Sequence, residues 1–241
     1  MEPMLAITIR IITGVFGALL PISVALAQQA EVTTVRIGVL SQALEQYIPM
    51  TSLEPIYDDL GLQGARLARD DNNTTGRFIQ QEFRLTEVVV PADEAPAAAF
   101  RKLVSNGHRL ILLDLPADML LAIADQPVAA DTLLFNIRAR DDSLRNADCR
   151  ANVLHAIPSR AMLADALAQY LRWKRWREVF LVVGKHPEDK AYAAAVRRAA
   201  KRFGLRIIAE KQWIFDPGAR RTDSGHVNAQ QEIPSFTRGV D

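Results

Sequence analysis

The stretch RWKRWREVFLVVGKHPEDKAYAAAVRRAAKRFGLRIIAEKQW, residues 172–213, holds a complete strand–helix–strand unit and decides the fold class. The run Glu178–Val183 is apolar after its first residue and predicts a buried strand. Residues 187–203 predict an alanine-rich basic helix, and Gly204 is a typical helix stop because glycine adopts the left-handed conformation without strain. Residues 205–213 predict a second strand. Two short strands joined by a helix indicate a parallel sheet.

The same alternation of strands and helices precedes this unit. Strands are predicted at residues 35–40, 83–90, 109–113 and 132–137. Helices are predicted at residues 53–70, from 93 or 94 to 104, 116–123 and 159–173. Short strands that alternate with helices predict an α/β fold, with parallel sheets and helices on both faces.

Two local patterns within this series carry further predictions. The polar run DNNTTG at residues 71–76 predicts a turn, because Asn, Asp and Gly tolerate left-handed backbone geometry. Ser159 is placed to cap the helix that follows it. One apolar stripe of that helix, typical of an amphipathic helix, is formed by Met162, Leu163, Ala166, Leu167 and Tyr170.

Composition narrows the function classes. The chain has 241 residues, 49% of them hydrophobic, which is enough for a real core and for one or two domains. Lys and Arg number 29 against 28 Asp and Glu, and this balance argues against a nucleic-acid-binding protein. The single cysteine, Cys149, excludes an intrachain disulfide and a cysteine-rich zinc site.

The amino-terminal segment predicts export. Residues 11–27 are uncharged and mostly apolar, follow Arg10, and end in the small-x-small pattern Ala25-Leu26-Ala27. This pattern is typical of a secretory signal cleaved after Ala27, which predicts a periplasmic protein with no stable membrane span after cleavage. The run is shorter than the roughly 20 residues of a membrane span. An uncleaved anchor is the alternative interpretation.

Motifs for catalysis are absent from the sequence. The histidines His108, His155, His186 and His226 share no metal-ligand spacing, so no metal site is predicted. GxSxG, Cys–His and GxxxxGK signatures are also missing. The sequence therefore predicts a protein that is not an enzyme and has no cofactor.

Residues 172–213 resemble the opening of the second lobe of type I periplasmic solute-binding proteins, the group that includes branched-chain amino acid receptors of ABC transporters. Ile37-Gly38-Val39 resembles the opening strand of the first lobe in that family. Residues 64–68 resemble the helix before the family's Asn-Gly turn, here residues 72–76. The resemblance covers residues 35–241 and implies two Rossmann-like lobes with parallel sheets.

Three stretches resemble one branch of this family, whose members are typically found beside pyrroloquinoline-quinone-dependent alcohol dehydrogenases. They are DNNTTGRF at residues 71–78, DLPAD at 114–118 and TDSGHVNAQQEIPSFTRGVD at 222–241.

The resemblance also implies a division of the chain. It consists of a signal peptide at residues 1–27, an amino-terminal lobe at 28–157 and a partial second lobe at 158–241. The family's chain normally continues well beyond a point such as Asp241, so a carboxyl-terminally truncated second lobe is expected.

The function implied by the resemblance is binding without catalysis. The chain is expected to be the periplasmic component of an ABC importer, to hold a small polar molecule between two lobes, and to partner an ABC permease. The alternative is an accessory protein of a periplasmic pyrroloquinoline-quinone-dependent alcohol dehydrogenase system, which would bind a protein or cofactor instead of delivering cargo.

The ligand site is expected in loops at the carboxyl ends of the strands, as in other open α/β sheets. By position, the candidate ligand-binding residues are Ser41, Asp114, Asp118, Arg138, Arg140, Asp141, Lys185 and Asp189. The family's small hydroxyl-bearing loops are replaced here by Leu115-Pro116 and by the charged residues 138–140. This departure puts an ordinary amino-acid ligand in doubt.

Two of these groups have structural alternatives. Arg138 and Arg140 are placed to form a clamp for a ligand carboxylate, because guanidinium groups donate paired hydrogen bonds. The alternative is a solvated loop with local ion pairs. Asp114 and Asp118 flank Pro116, and either would contact a ligand or cap the following helix, with capping favoured.

Overall fold

Two parallel sheets organise the part of the chain that the computed structural model describes, which is residues 32–43, 59 and 61–213. The predicted signal at 1–27, the start of the predicted helix at 53–70 and the stretch at 222–241 lie outside the described residues. No helix within the described residues is both long and apolar enough to cross a membrane.

The first sheet has five strands in the order β2-β1-β3-β4-β5, and all of its neighbours are parallel. Its strands are β1 Thr33–Gln42, β2 Gln81–Val90, β3 Leu110–Asp114, β4 Leu133–Asn136 and β5 Val153–His155. The four predicted strands in this region are confirmed. Strand β5 was not predicted, because three residues are too few to show a periodic pattern.

The second sheet pairs β6 Glu178–Val183 with β7 Arg206–Gln212 in parallel. The helices are α1 Leu62–Ile79, α2 Ala97–Ser105, α3 Ala117–Ala124, α4 Arg160–Trp173 and α5 Pro187–Phe203. The strand–helix–strand unit at residues 172–213 is confirmed, and Gly204 ends α5 in the left-handed conformation with φ 68°.

The main core lies on the first sheet. Helices α2 and α3 contact each other beside it, while α1 contacts β2. The order of strands reverses after β2, so right-handed crossovers place α1 on one face and α2 and α3 on the other. The largest fully buried apolar side chains here are Phe100, Leu40, Ile111, Leu113, Leu115, Leu120, Ile123, Leu134 and Leu144.

The predicted turn at residues 71–76 is wrong, because α1 runs through it. Asn72 donates to the main-chain oxygen of Ala68 at 2.7 Å, so its amide is satisfied within the helix. The Asn73 side chain instead pairs with the main chain of Phe83 in β2, at 2.7 and 2.9 Å. At Gly76, a Cβ would come 2.3 Å from the main-chain oxygen of Gln81. Asn73 and Gly76 therefore fit α1 against β2, and the intrinsic helix propensity of the local sequence does not indicate such a contact.

Two helix starts also differ from prediction. Helix α2 begins at Ala97 instead of residue 93 or 94, because the Gln42 amide donates to the main-chain oxygens of Ala92 and Glu94 at 3.1 Å and holds that segment as a loop. Helix α3 has Pro116 at its N-cap and no side-chain cap, so the predicted capping by Asp114 or Asp118 is wrong.

Helix α4 begins as predicted but buries a different face. Ser159 caps it through a bond from the main-chain N–H of Met162 to Oγ at 3.3 Å. Besides Arg160, the buried residues of α4 are Ala164 and Ala168, which pack on the alanines of α5. Most of the predicted apolar stripe faces away from this contact, since Met162, Leu167 and Tyr170 are exposed, as is Trp173. Alanine gives α4 and α5 a close approach that larger side chains would prevent.

Candidate ligand site at the carboxyl edge of the first sheet

Three of the predicted site residues meet where the strand order reverses. Ser41 in β1 and Asp114 at the end of β3 are direct partners in the register of the two parallel strands. Arg138 follows β4 by two residues. Its Nη1 lies 3.5 Å from the main-chain oxygens of Gln42 and of Asp114, at the limit of a hydrogen bond. A hydroxyl, a carboxyl and a guanidinium group therefore converge at the edge where α/β folds bind ligands.

The Asp114 carboxyl group lies against the amino end of α1. A Cβ on Gly61, the residue before the helix, would stand 3.0 Å from Asp114 Oδ2, and Gly61 has φ 90°. Burial raises the pKa of Asp114, while the charge of Arg138 and the nearby Ser41 hydroxyl oppose that rise. The site thus contains a carboxyl group whose ionisation is disfavoured by its surroundings.

Ser41 is a buried hydroxyl in need of a partner. The residue is 5% exposed, and its Oγ has no hydrogen-bond partner among the residues that the structure describes. The hydroxyl is close enough to Asp114 to lower the pKa of that carboxyl, although no atom of the described residues meets the geometry of a hydrogen bond to Oγ. A buried polar atom without a partner is unusual in a folded protein.

Asn136, which sequence reasoning missed, positions Arg138. The residue is fully buried, and its Oδ1 accepts from the main-chain N–H groups of Arg138 at 3.1 Å and Ala139 at 2.8 Å. Its Nδ2 donates to the Ala139 oxygen at 2.7 Å and lies 2.9 Å from His155 Nδ1. Burial, followed by the charge of Arg145, lowers the pKa of His155, which favours the neutral ring that this contact requires. The signal in the sequence was a single polar residue ending an apolar strand.

Arg160 is the second residue that sequence reasoning missed. Its guanidinium group lies 3.0 Å from Asp141 and also pairs with Glu188, and its main-chain N–H donates to the oxygen of Arg140 at 2.9 Å. Burial lowers the pKa of Arg160, but the hydrogen bonds to Glu188 and Asp141 outweigh it and leave the pKa raised. Arg160 therefore joins the loop after β4 to the first turn of α5.

The remaining predicted residues occupy other surroundings. Arg140 and Lys185 are exposed, and Asp118 is exposed in the first turn of α3. Asp189 accepts from the main-chain N–H of His186 at 3.1 Å, while His186 Nδ1 accepts from the N–H of Glu188 at 3.2 Å. The Asp189 carboxylate thus caps α5.

Acidic residues, histidines and Cys149 are spread over the described part of the chain. Within the described residues, no three His, Cys, Asp or Glu side chains lie together as a metal ion would require.

Comparison with known proteins bears on the fold. No protein-family model matches the chain, and no curated protein matches it. Among solved structures, a branched-chain amino acid ABC transporter periplasmic ligand-binding protein from Burkholderia xenovorans superposes with a TM-score of 0.60 at 15% identity, over 85% of this chain. An ABC transporter substrate-binding protein from Desulfitobacterium hafniense gives a TM-score of 0.57 at 20% identity, over 76% of this chain. The fold is that of type I periplasmic binding proteins.

The periplasmic-binding-protein fold is shared over part of the relatives only. The chain spans 58% of the Burkholderia structure and 52% of the Desulfitobacterium structure, or a little over half. A leucine-, isoleucine-, valine-, threonine- and alanine-binding protein from Brucella ovis gives a TM-score of 0.56 at 14% identity. That match covers 86% of this chain and 58% of the Brucella protein. The assignment to the dehydrogenase-associated branch and the boundary between residues 157 and 158 stay predictions.

Proposed function

We propose that the chain is the solute-binding component of an ABC-type importer and holds a small polar molecule between two lobes without changing it chemically. One observation carries the proposal: the buried hydroxyl of Ser41 has no partner among the described residues and lies beside Asp114 and Arg138. A bound solute would supply the missing hydrogen bond.

The position of these residues in the fold supports binding. Parallel strands β1 and β3 send their connecting helices to opposite faces, and this leaves a crevice at their carboxyl ends. Asn136 holds the main chain at Arg138 and Ala139 in place. We call Ser41, Asp114 and Arg138 the half-site, and its groups are positioned before a solute binds. Preformed polar groups lose little conformational entropy when a ligand binds.

The relatives support the class of function. Structures with the same fold are described as ABC transporter substrate-binding proteins and as a periplasmic ligand-binding protein. For this chain, we propose a periplasmic location after cleavage at Ala27 and an ABC permease as the partner. In the second lobe, Lys185 and the α5 turn capped by Asp189 would face the solute.

Calorimetry on the full chain tests the proposal. We expect at least one solute in a panel of amino acids, short acids, alcohols and polyols to bind with a dissociation constant in the micromolar range. Ser41→Ala should weaken that binding by about tenfold, the effect of one lost hydrogen bond of roughly 1.4 kcal/mol. Arg101→Gln, at an exposed residue of α2, is the matched control and should bind like the unmodified protein.

Two results would overturn the proposal. One is a solute whose affinity Ser41→Ala leaves unchanged. The other is an absence of binding across the panel together with retention of a quinone-dependent alcohol dehydrogenase on the purified chain, which would support the accessory role instead.

A further inference from the structure

The amino end of α1, one of the places at this site that would attract an anion, already faces a carboxyl group of the protein. The amino end of a helix attracts negative charge through its free N–H groups and its dipole. At α1 the N–H groups of Leu62 and Gln63 donate to the main-chain oxygen of Asp59, and the Asp114 carboxyl group lies against Gly61 at this end of the helix. A solute carboxylate brought to the same point would meet a like charge.

The charges of the site cancel. Asp114 carries a carboxyl group and Arg138 a guanidinium group, and the two attract each other. An anionic solute would gain from Arg138 and lose to Asp114, and a cationic solute would do the reverse. Any ion would also have to give up its hydration on entering the site, which an uncharged solute largely avoids.

The hydrogen-bonding capacity of the site is mixed. Asp114 in its ionised form accepts only, Arg138 donates only, and the unpartnered Ser41 hydroxyl does both. A carboxylate can only accept and an ammonium group can only donate. An ammonium group can donate to Asp114 and Ser41 but not pair with Arg138, and a carboxylate can accept from Arg138 and Ser41 but not pair with ionised Asp114. A hydroxyl group donates and accepts, so a single such group can pair with both Asp114 and Arg138.

We propose that the site formed by Ser41, Asp114 and Arg138 selects an uncharged, hydroxyl-bearing solute, such as a small alcohol or polyol, over solutes that carry a carboxylate or an ammonium group. This inference rests on the proposed solute-binding function and names its substrate class. The hydroxyl of the solute donates to Asp114 and accepts from Ser41.

A matched set of solutes tests the class by calorimetry on the full chain. The set is 1,2-propanediol, lactate and 1-amino-2-propanol, which share a carbon skeleton and differ in charge, with glycerol and glycerate as a second pair. We expect each neutral member to bind at least tenfold tighter than its charged counterparts. Asp114→Asn removes the like charge, so lactate and glycerate should then bind at least tenfold tighter than they bind the unmodified protein. Asp131→Asn, an exposed residue before β4, should change nothing.

The outcomes separate this inference from the function itself. Equal or tighter binding of the charged members to the unmodified protein overturns the substrate class and leaves the solute-binding function in place. If neither 1,2-propanediol nor glycerol binds while another solute of the panel does, the substrate class is likewise overturned and the solute-binding function stays in place. Failure of every solute in the wider panel overturns the function as well.

Discussion

The carboxylate of Asp141 lies 3.0 Å from the guanidinium group of Arg160, and this contact ties the loop after β4 to the first residue of α4. The Arg160 side chain is only 6% exposed, whereas those of Asp141 and of its other partner, Glu188, are 39% and 64% exposed. A buried charge needs close partners, and the less exposed partner is the stronger one because water screens it less.

The two partners of Arg160 should therefore differ in their effect on stability. We expect Asp141→Asn to lower the free energy of unfolding by about 1–3 kcal/mol, since it leaves a buried cation with only a solvent-exposed partner. Glu188→Gln should change it by less than about 1 kcal/mol. Urea unfolding with an unchanged m-value would measure both. A larger loss for Glu188→Gln would contradict this account.

Asp114 should reduce stability at neutral pH. Burial raises its pKa, so the folded state binds a proton more tightly than the unfolded state does. Stability consequently falls as the pH rises from the unfolded value of about 3.9 through the folded pKa. Asp114→Asn should raise Tm at neutral pH by on the order of 2 °C, with the gain shrinking at acid pH.

Thermal unfolding across pH measures this difference. Asp131→Asn, at an exposed position, is the control and should show no such pH-dependent gain. A lower Tm for Asp114→Asn than for the unmodified protein at neutral pH would show that the attraction to Arg138 exceeds the effect of burial.

Alanine substitutions at two glycines of α1, Gly64 and Gly76, test whether the helix continues through residues 71–76. A Cβ at Gly76 would stand 2.3 Å from the Gln81 main-chain oxygen, whereas one at Gly64 would meet nothing within 4 Å. Gly76→Ala should cost about 2–4 kcal/mol because the backbone of β2 would have to move. Gly64→Ala should add about 0.5–1 kcal/mol by favouring the helix. Similar effects of the two substitutions on urea unfolding would argue that residue 76 lies in a turn.

Substitutions at two neighbouring residues of α4, one buried and one exposed, should differ in their effect on the free energy of unfolding. Ala168 packs on α5 and is 3% exposed, so Ala168→Leu should destabilise the protein by about 1–3 kcal/mol. Leu167→Gln, next to it on the exposed face, should change the free energy of unfolding by less than about 0.5 kcal/mol. Chemical unfolding of both variants makes the comparison. A large loss for Leu167→Gln would mean that another part of the chain covers this face.

The sheets and most helices could be predicted because their patterns are local. The apolar strands around Leu113 and Val182 and the glycine stop at Gly204 each depend on a few consecutive residues. Residues 71–76 misled the prediction because the role of Asn73 and Gly76 is set by β2, which lies outside any local window. Intrinsic preference gave way to tertiary contacts there.

The site was predictable in part for the same reason. Ser41, Asp114 and Arg138 stand at or just beyond strand ends, and the topology of a parallel sheet brings such positions together. Arg160 could not be found, since its partners lie 19 and 28 residues away and no periodicity relates them. Asn136 showed only as one polar residue at the end of an apolar strand.

Strands β6 and β7 pair only with each other in the described part of the chain, whereas β1 and β3 each lie between two neighbours. A two-stranded sheet has one ladder of main-chain hydrogen bonds and marginal stability by itself. Amide protons in β1 should therefore exchange with solvent only when the whole first sheet opens, and those in β6 and β7 through smaller, more frequent openings. Deuterium uptake would then divide the chain near Ser159, with the Ser41–Asp114 half-site on the slowly exchanging side.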